Sequence, residues 1–271
     1  MEILNNINYK KFSSISDFLA FISIYDDNNR TEAWKKLMLR YSDYFKNGIV
    51  VELGAGFGLF SEFALEFGAK KVYAVERNKY LFNVLKERLS KYKEIKVINE
   101  NALKFIPKEH IDVVIHDFYG NLLYDESLYV LDNLKFKPSI VIPNAGKLKL
   151  GFLNLEDIQD KVINHSVLRQ LKNLLIADLF IIENKPKIAM DIAGWSFSEG
   201  LKIDKIIDIS NFEGEILLFY LEVFHNNDFV CDAFECQNWS LVFAYRFSNR
   251  FFLKFKWSGD FCKVYFSFIW I

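Results

Sequence analysis

"GIVVELGAGFGLFSEFALEF", residues 48–67, decides the fold. Its first six residues form an apolar run with a single acid, Glu52, too short for a buried helix and rich in Ile and Val. They read as a strand buried on both faces. Three glycines follow, at 54, 56 and 58. Glycine lets the backbone turn tightly and lets a ligand approach the amides that open the next helix. "LFSEFALEF" (59–67) then has helical apolar spacing until Gly68 stops it.

The same alternation continues downstream. "KVYAVE" (71–76), "IKVINE" (95–100), "IDVVIHD" (111–117) and "SIVIPN" (139–144) read as strands. "KYLFNVLKERLSKY" (79–92) and a stretch at about 124–134 read as the helices between them. Apolar strands alternating with helices mean a parallel sheet covered on both faces, an α/β fold of Rossmann-like type. Upstream, "ISDFLAFISIY" and "RTEAWKKLMLRYSDYF" carry helical spacing through the first 46 residues. After Pro143 the alternation ends. "GKLKLGFLNL" alternates like a strand, residues 155–181 look mainly helical, and from 214 onward come short Phe-, Tyr-, Trp- and Val-rich runs. Two domains are expected. Residues 1–143 carry N-terminal helices and the parallel sheet; residues 144–271 form a β-rich domain, which the family resemblance given below implies is barrel-like with a helical insertion at about 158–200.

The 271 residues are 51% hydrophobic and 25% charged, the balance of a globular chain and not a disordered one. A net charge of −1 gives no bulk preference for nucleic acid or an anionic membrane. No apolar run approaches the roughly 20 residues of a membrane span, and the N-terminus has no continuous apolar signal core, so a cytoplasmic protein is expected. Cys231, Cys236 and Cys262 are expected to be reduced thiols. Beside His225 they lack paired ligand spacing and a fourth ligand, so no metal is expected.

A dinucleotide-binding loop wants its third small residue at position 59, where this chain has Leu59. Glu76 ends the second strand, 20 residues after Gly56 (76 − 56 = 20), where an acid can accept both hydroxyls of a ribose. The G-x-G-x-G spacing after Glu52 resembles motif I of class I S-adenosylmethionine (AdoMet) methyltransferases. That resemblance implies AdoMet as cofactor, held by Glu52, Gly54, Gly56, Gly58 and Glu76. Asn101 and Ala102, after the third strand, stand where the family offers contacts to adenine.

"HDFYGNLLYDES" (116–127) places Asp117 and Glu126 nine residues apart (126 − 117 = 9). It is similar to the double-acid loop of the protein arginine N-methyltransferases, with Gly120 and Ser127 also matching. A guanidinium is a planar fork of five N–H donors whose shared lone pairs make it a poor nucleophile. Two carboxylates gripping separate N–H groups localise its charge and aim one nitrogen at the methyl donor, and one of them can take the released proton. The resemblance implies catalytic roles for Asp117 and Glu126, and an acceptor lined by Phe118 and Tyr119. "DNNRT" (27–31) resembles the family helix whose arginine meets the AdoMet carboxylate, here Arg30. "VIPNAGKLKLGFLNLED" (141–157) resembles the crossing into the β-barrel, with Pro143 on a proline that is typically cis. "QNWSLVFAY" (237–245) resembles the T-H-W loop, placing Asn238 and Trp239 at the acceptor.

The departures are specific. Asp117 is one methylene shorter than the usual Glu, His116 replaces a serine and Asn238 replaces the T-H-W histidine. The N-terminal Y-F-x-x-Y motif keeps only Phe12, with Lys11 and Ile15 in place of its tyrosines. Ile24 and Leu128 replace two methionines. The resemblance implies methyl transfer to an arginine guanidinium, in a protein, a peptide or the free amino acid, by a homodimer. Two other readings stay open: methylation of another small-molecule or base amine, since "DFYG" sits where base methyltransferases carry D-P-P-Y, and a non-catalytic AdoMet-binding protein.

Overall fold

The computed structural model describes residues 4, 7–158, 163–203, 206–259 and 264–271. Cys262 and residues 159–162 of the expected insertion lie outside them. The chain divides into two compact units. One comprises Met1–Phe118 and Val130–Asn144, the other Tyr119–Tyr129 and Ala145–Ile271.

The first unit begins with α1 (Ile15–Asp26) and α2 (Asn28–Arg40). Ser14 caps α1 by accepting from Asp17 N at 3.0 Å. Asp27 closes α1 and caps α2 by accepting from Arg30 N at 2.9 Å, so a single acid fixes where Arg30 leaves its helix. Then come β1 (Ile49–Leu53), α3 (Leu59–Glu66), β2 (Lys71–Glu76), α4 (Lys79–Arg88), β3 (Ile95–Asn99), β4 (Val113–Ile115), the short α5 (Tyr129–Asp132) and β5 (Ile140–Ile142). The five strands are parallel in the order β3-β2-β1-β4-β5. The order reverses between β1 and β4, and ligands of open α/β sheets bind off the carboxyl ends of the strands at that reversal. The glycine loop follows β1, and His116–Asp117 follow β4. β1 is buried throughout, which is why its sequence is apolar on both faces. The Ile142–Pro143 peptide is cis.

The second unit is antiparallel. β6 (Ala145–Leu153) is followed by α6 (His165–Gln170), β7 (Ile176–Ala177), β8 (Ala189–Ser196), β9 (Gly200–Ile203), β10 (Ile207–Asp208), β11 (Ile216–His225), β12 (Asp228–Asp232), β13 (Val242–Tyr245), β14 (Arg250–Trp257) and β15 (Val264–Trp270). One sheet runs β7-β13-β11-β6-β8-β9, with β12 also on β11; the other runs β10-β14-β15. Its core is aromatic: Phe219 packs edge-on against Phe251 and Phe268 at 6.0 Å.

The helical insertion expected at 158–200 is not what forms. Among the described residues of that stretch the helix is six residues long. Ile176–Ala177 pairs with β13 instead, and Ala189–Ser196 pairs with β6 along most of its length. "SVLRQLKNLLIADLF" has helical apolar spacing, but its later apolar residues serve a sheet: Phe180 is buried edge-on against Phe243 at 5.4 Å. Non-local strand pairing overrides the local period. The helix expected at about 124–134 likewise shrinks to four residues.

Candidate functional site

The glycine loop is built by positive φ. Gly54, Gly56 and Gly58 have φ of 68°, 51° and 72°, a region in which a side chain is strained. Gly58 is the N-cap of α3 and has no side chain to cap with, so the carboxylate of Glu52 does it from β1. Glu52 Oε2 accepts from Ser61 N at 2.8 Å and from Ser61 Oγ at 2.5 Å. An acid here also complements the N-terminus of the helix. Burial pushes the Glu52 carboxyl up to about 7, against the pull of the Ser61 hydrogen bonds. Glu76 works similarly at the end of β2. Its Oε2 accepts from Gly56 N at 3.0 Å and its Oε1 from Asn78 N at 2.7 Å. Burial raises its carboxyl, opposed by those two backbone hydrogen bonds. A carboxylate has about four lone-pair sites, so these backbone hydrogen bonds leave room for a hydroxyl.

At the end of β4, His116 is fully buried. Its Nε2 lies 2.8 Å from Pro143 O, and its Nδ1 accepts from Phe118 N at 3.2 Å. A carbonyl only accepts, so Nε2 carries the hydrogen and the ring is neutral; burial lowers its pKa to about 4. His116 thereby sets the backbone on which Asp117 sits. Arg30 reaches Asp117 from α2, with Nε and Nη2 both 2.5 Å from Asp117 Oδ2. Arg30 Nη1 donates to Ile24 O at 3.0 Å, and its guanidinium lies over the rings of Trp34 and Phe60. Asp117 Oδ1 is buried and has no hydrogen-bond partner. Burial raises the Asp117 carboxyl against the opposing charge and hydrogen bond of Arg30.

These groups border one cavity of about 180 Å³ in the first unit. Gly54, Ala55, Gly56, Glu52, Glu76, Arg30 and Asp117 all line it. The set fits a nucleoside with an aminoacyl arm: an acid at the end of β2, a glycine loop where a Cβ at 54 or 56 would collide with Phe118 or Tyr25, and an arginine from α2.

The family described as ribosomal RNA adenine dimethylase matches residues 21–143. Protein arginine N-methyltransferase 2 of Dictyostelium discoideum is 28% identical over 160 residues, 56% of this chain and 31% of that protein. Protein arginine N-methyltransferase 1 of Oryza sativa subsp. indica is 29% identical over 161 residues, 56% of this chain and 41% of that protein. The Trypanosoma brucei PRMT1 enzyme–prozyme heterotetrameric complex with AdoHcy has a TM-score of 0.67 at 15% identity, covering 97% of this chain and 100% of that one. Arabidopsis thaliana protein arginine methyltransferase 10 gives 0.63 at 13%, covering 91% and 96%. The chain has the class I methyltransferase fold and resembles the protein arginine N-methyltransferases. It spans about a third to two-fifths of the length of these two curated relatives.

Within this methyltransferase fold the residues singled out from sequence divide. Arg30, Glu52, Gly54, Gly56, Glu76 and Asp117 border the cavity. Gly58 does not: a Cβ there would run into Leu85 of α4 and its C-cap Leu89, so this glycine serves helix packing. Asn101 and Ala102 do not border it either. Asn101 Oδ1 accepts from Leu103 N at 3.0 Å and holds a turn. Phe118 lies over Gly54, where a Cβ would be 2.7 Å from its ring. Tyr119 and Trp239 are core residues of the second unit. The Tyr119 hydroxyl donates to Ala145 O at 2.9 Å, and its ring meets Trp195 and Trp239 edge-on. Neither presents an exposed aromatic face, being 2% and 4% exposed. Asn238 is half-buried beside Trp239. Glu126 is exposed, after a turn in which Gly120 pairs with Leu123 and Asp125 Oδ1 accepts from Leu122 N at 2.9 Å. Phe21 and Tyr25 also border the cavity. In the sequence they belong to the apolar stripe of α1; the signal for Tyr25 is its place two residues before the Asp27 cap and five before Arg30.

Among the described residues no helix is long and apolar enough to cross a membrane, and no three His, Cys, Asp or Glu side chains group as metal ligands.

Proposed function

We propose that this protein is an AdoMet-dependent N-methyltransferase that transfers a methyl group to an arginine guanidinium, in a protein, a peptide or the free amino acid. The observation that carries the reading is Asp117. A buried carboxylate oxygen with no partner, at the end of β4 beside the glycine loop, is what a cationic acceptor requires. Bound AdoMet would supply the electrophilic methyl. Glu76 would hold the ribose hydroxyls through its unfilled lone pairs, Gly54 and Gly56 would let the ligand lie on the loop amides, and Arg30 would face the aminoacyl end. Asp117, its Oδ2 fixed by Arg30, would offer Oδ1 to one guanidinium N–H. Glu126, nine residues on, would take another on the strength of that spacing. Burial raises the Asp117 carboxyl, against Arg30, which makes it the stronger base for the released proton.

Incubation with labelled AdoMet and arginine-rich peptides, free arginine, small amines and adenine-containing RNA tests this. Label on arginine is the expected result. Label on RNA would favour the base-amine reading, which the match to ribosomal RNA adenine dimethylases supports. The two prolines of D-P-P-Y are absent from "DFYG", which weighs against it.

A homodimer is part of the same proposal, though without the helical arm. Val167, Leu174, Ile181 and Ile188 are exposed along the stretch between β6 and β8, and Ile181 is 93% exposed. A partner copy would cover them. Light scattering at micromolar concentration should give twice the chain mass.

A further inference from the structure

We propose that Tyr25 is a cofactor-positioning residue, its hydroxyl hydrogen donating to the carboxylate of the aminoacyl arm; the inference rests on the AdoMet reading above. The cavity is bordered by three acids, Glu52, Glu76 and Asp117, and one cation, Arg30. Glu76, with its open lone pairs, suits the ribose hydroxyls, so the arm extends toward Arg30. Arg30, however, already turns its fork to Asp117 and Ile24 O, and rings cover its face. A carboxylate entering there needs a further donor that carries no negative charge. Among the residues bordering the cavity, Tyr25 carries the one hydroxyl.

Its placement is defined from three sides. The Tyr25 oxygen accepts from Phe57 N at 2.8 Å, so its hydrogen points elsewhere. The ring packs against Phe57 at 4.5 Å and Phe21 at 5.2 Å between centroids, contacts that hold its direction. The hydroxyl also lies where a Cβ on residue 56 would be, so this approach to the loop needs Gly56. Burial, with Glu52 and Glu76 nearby, raises the phenol above its ordinary value, which keeps the O–H a neutral donor. α1 and α2 thus present two donors five residues apart, Tyr25 and Arg30, either side of the Asp27 cap.

The test is calorimetric titration of wild type and Tyr25→Phe with S-adenosylhomocysteine and with 5′-methylthioadenosine, which has the nucleoside but no aminoacyl arm. The expected result is about a tenfold or greater loss of affinity for S-adenosylhomocysteine and an unchanged affinity for methylthioadenosine. The phenylalanine keeps the ring packing, and methylthioadenosine reports any disturbance from the unpaired Phe57 N–H. Equal loss for both ligands would make Tyr25 a structural prop and overturn the proposal. Unchanged or tighter S-adenosylhomocysteine binding would also overturn it, showing that the ring only stands in the way. Wild type binding neither nucleoside would refute the AdoMet reading itself and the proposal with it.

Discussion

The turns after β1 and β4 leave adjacent strands of the same parallel sheet, and they use their acids in opposite ways. Around the first, Glu52 and Glu76 accept from backbone N–H groups of Ser61, Gly56 and Asn78, so their charge holds the loop and the start of α3 in place. At the second, Asp117 has one oxygen held by Arg30 and one oxygen buried without a partner. The backbone there is fixed by a neutral histidine instead. The first pair of acids holds the loop; the second turn leaves one carboxylate oxygen buried without a partner. Two carboxylates at comparable burial therefore carry different consequences when removed.

The largest contrast should come from Asp117→Asn and Glu126→Gln. Each is expected to lower kcat/KM on the arginine acceptor by about 2–5 kcal/mol, the effect of leaving a cation half-paired. The double variant should be little worse than either single one. S-adenosylhomocysteine should bind Asp117→Asn at least as tightly as wild type, because Arg30 is released from its carboxylate. Full activity in both single variants would end the arginine reading.

The next effect is on stability against pH. Glu52 is raised from 4.5 to about 7, so the folded state holds the extra proton between those values. Stability is therefore highest below about pH 4.5 for this group and falls as pH climbs to about 7, by about 3 kcal/mol. His116, lowered from 6.5 to about 4, acts the other way: stability rises with pH between 4 and 6.5. Urea unfolding of the cofactor-free protein should show these slopes opposing. Glu52→Gln should leave the rising one, and an unaltered profile in that variant would mean that Glu52 is ionised across the range.

Glu76→Ala should weaken S-adenosylhomocysteine binding by about 1.5–3 kcal/mol through loss of charge-assisted hydrogen bonds. Unchanged affinity would remove Glu76 from the ribose. The smallest effect is expected from Asp117→Glu, which restores the length usual in the arginine methyltransferases. Activity on arginine peptides should hold or rise; a fall on the true acceptor would show a site reshaped around the shorter acid.

Much of the first unit was readable because its signals are local. Strands buried on both faces have to be continuous apolar runs, a loop with positive φ at 54, 56 and 58 has to be glycine, and "KVYAVE" matches β2 residue for residue. The cradle residues followed from those fixed points. Gly58 shows the limit, since its conformation was legible but the side chains of α4 that it meets were not.

The sequence by itself determined the parallel sheet, the glycine turn, the acid at the end of β2 and the nine-residue spacing of Asp117 and Glu126, all set by periodicity and backbone chemistry within a few residues. Only the tertiary structure decided the rest. Arg30 faces Asp117 across 87 positions, Tyr119 is a core residue, and residues 176–177 and 189–196 pair as strands where a helix was expected. Each of these depends on which distant groups a side chain or backbone N–H finds on folding, and a local pattern carries no record of that partner.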